Sequence, residues 1–105
     1  MLKLYINNNL MTSKVTYFND VTMRDEETDI LKSELTIQVE DTETQQYLPY
    51  FADNSITAVV IKDENDEEIF RTVKFDKITS ASNDYSDQEA DSVASAIRFL
   101  KEYID

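Results

Sequence analysis

The densest run of groups that could do chemistry is Asp63-Glu64-Asn65-Asp66-Glu67, which sets oxygen ligands at alternate positions as a calcium loop does. An EF-hand loop also requires glycine at its sixth position and glutamate at its twelfth, and those positions are Glu68 and Lys74. The run therefore reads as a solvated hairpin tip with weak surface affinity for calcium or magnesium at most. A second acidic series, Asp84, Asp87, Glu89 and Asp91, is accounted for by helix capping. With 22 Asp and Glu among 105 residues, some carboxylates fall close together by chance, so no glycosidase-like pair is assigned.

The missing residue types restrict function further. The chain has no His, Cys or Gly. It therefore lacks the usual zinc ligands, thiol nucleophiles, His-based triads and imidazole bases. Glycine-dependent phosphate loops are missing too, and no disulfide can form. A non-enzymatic protein with no cofactor and no metal is expected.

Charge distribution says more. The formal net charge is −12, and residues 20–68 hold fifteen acids against Arg24, Lys32 and Lys62. The excess concentrates at Asp25 to Asp29, Glu40 to Glu43 and Asp63 to Glu68. Such clusters repel nucleic acid and anionic membranes and attract basic protein grooves in a salt-dependent way. No apolar run approaches the roughly 20 residues that span a bilayer, and the N-terminus has no signal-peptide core, so a cytoplasmic location is expected.

The elements that must position these groups fit one acidic domain over residues 1–105. Ile56 to Asp76 reads as its organising hairpin. The first arm, Ile56 to Lys62, is β-branched and suits burial on both faces. In the second, Ile69, Val73 and Phe75 share one face and Phe70, Thr72 and Lys74 the other. Asn65 is the expected left-handed residue of the tip. Met1 to Ile6 and Lys14 to Phe18 read as strands joined at Asn7-Asn8-Asn9, and Asn19 to Lys32 carries a weak pattern. Glu34 to Glu40 alternates most clearly, with Leu35, Ile37 and Val39 inward.

Thr42 and Gln45 fit a capping box for a short helical turn over 44–47 that Pro49 should stop. The polar stretch Ile78 to Asp84 reads as a linker. Ser86 to Glu89 fits a second capping box, and Ala90, Val93, Ala94, Ile97, Leu100 and Ile104 recur at helical steps. A strand over Val93 to Phe99 is the rival reading, because Val93, Ser95, Ile97 and Phe99 also alternate. The expected fold is α+β: an antiparallel sheet of about five strands with one C-terminal amphipathic helix on one face. The expected core is Leu35, Ile37, Val39, Val59, Ile61, Val73, Phe75, Val93, Ile97 and Leu100.

The function expected from these features is an acidic protein–protein interaction module. In general character, by no motif, it is similar to phage-encoded inhibitors such as anti-CRISPR and anti-restriction proteins, with carboxylates standing in for phosphates. Its partner would be the basic surface of a nucleic-acid-binding enzyme, with no direct nucleic acid or membrane contact. The alternative is a structural or assembly component of a phage particle that packs with itself or its neighbours and resides in the virion. The candidate partner-binding residues are Asp25, Glu26, Glu27, Asp63, Glu64, Asp66 and Glu67. Tyr47 and Tyr50 are the expected anchors, since tyrosine is favoured at interfaces.

Overall fold

A computed structural model describes residues 1–40, 44–85 and 92–103. Among these residues, seven strands form one antiparallel sheet: β1 (Leu2–Ile6), β2 (Asn9–Arg24), β3 (Leu31–Val39), β4 (Val59–Lys62), β5 (Glu68–Thr72), β6 (Ile78–Tyr85) and β7 (Ser92–Tyr103). Their order is β5-β4-β1-β2-β3-β7-β6. A 3-10 helix, Thr44–Phe51, packs on β6.

Local chemistry explains the first hairpin. Leu4 and Ile6 alternate into the core, fully buried, and Ile6 pairs with Asn9 across the two-residue turn Asn7-Asn8. Both turn residues have positive φ, 54° and 67°, as a type I′ turn requires. Asn7 does more than turn the chain. Its Nδ2 donates to the Ser55 carbonyl at 2.7 Å, and its Oδ1 accepts from the Thr57 amide at 2.7 Å and the Thr57 hydroxyl at 3.0 Å. Asn7→Gly should therefore cost about 1–3 kcal/mol despite suiting the backbone. Asn8→Gly should change stability by less than about 0.5 kcal/mol. Urea midpoints of the two variants separate these effects.

β2 is long enough to belong to two parts of the sheet. Residues Asn9 to Val15 pair with β1, and Val15 to Arg24 pair with β3. Thr16 is the extra residue of a bulge between the Val15–Val39 and Tyr17–Gln38 pairs. The bulge reverses the alternation. Met11, Ser13 and Val15 are inward before it, whereas Phe18, Asp20 and Thr22 share the face of buried Ile37, Leu35 and Ser33 after it.

The resulting bend folds the sheet over itself. β4 and β1 lie between β5 and β2, so a flat sheet would hold the outer two about 14 Å apart. Yet Phe70 of β5 and Phe18 of β2 meet with ring centroids 5.1 Å apart. One cluster fills the fold, including Leu4, Ile6, Leu35, Ile37, Val59, Ile61, Ile97 and Phe99.

The expected C-terminal helix is not formed. Residues 92–103 are β7, so the α+β expectation is corrected to an all-β sheet and the rival strand reading holds. β3 needs a neighbour on its second edge, and a strand supplies it by placing Ile97 opposite Ile37 and Phe99 opposite Leu35. The capping box at Ser86 to Glu89, Ala90 and Ile104 lie outside the described residues, as do Thr42 and the acids Asp41 and Glu43. Ile78 to Asp84 is no linker but most of edge strand β6, held where Ser95 Oγ donates to Asn83 Oδ1 at 2.6 Å.

The central hairpin is formed, with two corrections. Val59, Val60 and Ile61 are buried on both faces, as expected. In β5 the facing is reversed: Phe70 packs inward, Ile69 is exposed, and Val73 is 70% exposed just past the strand. The chain changes direction there, which returns Phe75 to the core. At the tip, the left-handed residue is Asp66, not Asn65. The 3-10 helix runs through Pro49 to Phe51, beyond the expected stop at Leu48.

Candidate functional site

The two described acidic tips are built by their own carboxylates. In the β2–β3 turn, Asp25 Oδ1 accepts from the Glu27 amide at 2.9 Å and from the Thr28 amide. In the β4–β5 turn, Asp63 Oδ1 accepts from the Asn65 amide at 2.8 Å and the Glu67 amide at 3.0 Å. Such Asx turns replace glycine in a glycine-free chain. Several remaining acids are paired: Asp66 with Lys3 at 2.9 Å, Asp25 with Lys32 at 3.5 Å, Glu64 with the N-terminal amine at 3.6 Å and Glu68 with Arg71 at 2.6 Å. Among the described residues, Glu26, Glu27 and Glu67 make no ion pair.

The tips point toward the same end of the sheet without meeting. Lys62 and Lys14 both stand opposite Lys3, so the β4–β5 tip is level with the bulge of β2. The β2–β3 tip lies roughly 25 Å further along that strand. The arrangement therefore brings together Asp63, Glu64, Asp66 and Glu67 on one turn, and Asp25, Glu26 and Glu27 on the other. It does not merge them.

The expected anchors differ from one another. Tyr47 is fully buried, and its hydroxyl donates to Ser13 Oγ at 2.7 Å, so it serves the core. Tyr50 is half-buried and its hydroxyl lies 3.4 Å from Asn9 Nδ2. Leu48 and Pro49, between the two tyrosines, are exposed.

Among the described residues, no three His, Cys, Asp or Glu side chains gather where a metal ion could be held. A cleft of about 350 Å³ is lined by Asp76, Lys77, Thr79, Leu100, Lys101 and Glu102. Its charges balance, and Lys77 is already held by Asp53 at 2.7 Å. A hydroxyl row crosses the sheet where Ser33 Oγ meets Thr22 Oγ1 at 2.7 Å and the Tyr103 hydroxyl at 3.2 Å. With no imidazole in the chain to act as base, it reads as a structural ladder.

The tip acids, and Asp53 in the loop after the 3-10 helix, carry a pH signature. Amide hydrogen bonds from Glu27 and Thr28 hold Asp25 below the ordinary carboxylate value. Hydrogen bonds from Lys3, Lys77 and Arg71 do the same for Asp66, Asp53 and Glu68. A lowered folded-state value stabilises the protein at neutral pH, and that contribution is lost as pH falls below about 4. Mutual repulsion of the acids works the other way, easing as pH falls toward the isoelectric point near 4.2. Tm should therefore rise on acidification from pH 7, pass a maximum at about pH 5–6 and fall below about pH 4. A Tm still rising at pH 3 would show that the pairs contribute nothing.

The feature that sequence reasoning missed is the free side of β2. β1 ends at Leu2, opposite Val15, so no described strand pairs with that side of Tyr17 to Arg24. Tyr17 and Met23 are 51% and 45% exposed on its outer face, with Val21 between them. The alternation Tyr17, Val21, Met23 was the available signal, but it straddles the boundary between the strand read over Lys14 to Phe18 and the stretch from Asn19 read as weakly patterned. Among the described residues, no helix is long and apolar enough to cross a membrane. No protein-family model, curated protein or solved structure matches this chain.

Proposed function

We propose that this chain is a non-enzymatic interaction module that works as an assembly component, packing through strand edges with itself or with neighbouring proteins. The observation that carries the reading is the side of β2 over Tyr17 to Arg24 that no described strand pairs with, which lies beside the exposed side chains Tyr17 and Met23. Unpaired strands of this kind are templates for another chain. The inhibitor reading draws on the net charge of −12. It has less support, because the two described acidic tips are separate and most of their carboxylates are occupied by amides and cations.

Light scattering across protein concentration at low and moderate salt tests the proposal. An assembly component gives a discrete oligomer that persists or strengthens with salt. A monomer that binds a basic DNA-processing enzyme at low salt and releases it at moderate salt would favour the inhibitor instead.

A further inference from the structure

We infer that the free side of β2 pairs with the same strand of a second copy, antiparallel, about a two-fold axis through Val21. This rests on the assembly reading and names the partner of that site.

The sheet's own edges supply the first reason. Terminal strand β5 has only five residues, and its Glu68 and Arg71 are locked in an ion pair. Terminal strand β6 is polar and broken by register shifts at Ile78/Ser80 and Asp84/Tyr85. Short length, charge and irregular pairing are how proteins blunt edges against association. β2 is long, and past the bulge at Thr16 it keeps an even register with only Asp20 and Arg24 charged. From Tyr17 to Arg24 its register against β3 is unbroken, with no proline and Asp20 as the lone acid. Lys74 already neutralises that acid, its Nζ lying 2.9 Å from both carboxylate oxygens.

Self-complementarity supplies the second reason and selects the occupant. A two-fold axis perpendicular to the sheet keeps each face on its own side, so outer residues meet outer residues. Centred on Val21, the pairing places Val21 against Val21 and Asn19 against Met23, with Tyr17 diagonal to Met23. On the inner face Phe18, whose ring packs on Phe70 in its own copy, stands opposite Arg24, whose guanidinium donates to Asp29, and Asp20 meets the Thr22 hydroxyl. No like charges stand opposite each other. The pairing spans Phe18 to Arg24 and stops short of β1, whose last paired residue, Leu2, stands opposite Val15. Alternate residues then complete backbone hydrogen bonds that the free chain leaves to water.

Each copy carries −12, so long-range repulsion opposes the pairing and added salt should tighten it. The test uses sedimentation equilibrium of the full chain at low and moderate salt, with Val21→Lys and Val21→Cys variants. Val21→Lys sets two cations together at the axis within one dimer, while the side chain faces Glu34 in its own copy. It should weaken dimerisation at least tenfold with an unchanged circular dichroism spectrum. Because the native chain has no cysteine, Val21→Cys should form an intermolecular disulfide under mild oxidation, whereas Thr36→Cys on the outer face of β3 should not. An oligomer that survives Val21→Lys, or that cross-links equally at both cysteine positions, overturns this interface and leaves the assembly reading standing. A chain that stays monomeric at all concentrations and salts, with no cross-link at position 21, overturns both.

Discussion

Truncating Phe99 to alanine should cost about 3–5 kcal/mol and lower Tm by on the order of 15–30 °C. Phe99 is fully buried, stands opposite Leu35 on one side and Ile78 on the other, and has its ring centroid 6.0 Å from that of Phe75. Its removal leaves a void lined by residues that the sheet's hydrogen bonds hold in place, so the site collapses poorly. A domain of this size has only about 5–15 kcal/mol of net stability, so the loss is a large fraction of the total. Val73→Ala is the matched control. Val73 is 70% exposed, and its truncation should stay within about 0.5 kcal/mol. Urea unfolding followed by circular dichroism compares the two, and equal losses would contradict this packing.

Tyr47→Ala should be of similar severity, about 3–5 kcal/mol, while Tyr47→Phe should cost about 1 kcal/mol. The ring is fully buried in the main core and the hydroxyl donates to buried Ser13. Gln46 shares the task, its Nε2 donating to the same Ser13 oxygen at 3.0 Å and its Oε1 accepting from the Thr12 amide at 2.9 Å. Together these contacts fasten the 3-10 helix to β2. A tyrosine that anchored a partner would behave in the opposite way, leaving Tm unchanged and weakening association.

Legibility in the sequence followed how much of each strand's burial is local. β3 could be read directly, because Leu35, Ile37 and Val39 face one core and their neighbours face outward. β7 could not. Ile97 satisfies the helical and the alternating pattern alike, and the deciding contribution is its pairing with β3, at a distant point of the chain. β6 resembled a linker because after buried Ile78 its inward positions, Ala81 and Asn83, are small or polar and are satisfied by β7. The phase of β5 was lost at Val73, where the chain leaves the strand and no period applies. At the candidate site, the sequence showed how many acids there are and not where they lie. Whether Asp25 and Asp63 converge depends on the offset of two hairpins set by β1, and no local pattern records that offset.

The order of strands also sets a timetable. β3 pairs with β7 from Leu31–Tyr103 to Val39–Ser95, and β1 pairs with β4 from Lys3–Lys62 to Ile6–Val59. Large loops must close before either pairing repays its entropy, which places the domain among slow folders, on a scale of milliseconds to seconds. During synthesis, β1, β2 and β3 emerge early as a meander and wait with the outer edge of β3 bare until β7 has left the ribosome. In that interval the nascent chain depends on its acidic turns to keep neighbouring copies apart, and misassembly through β3 is the hazard it must outrun.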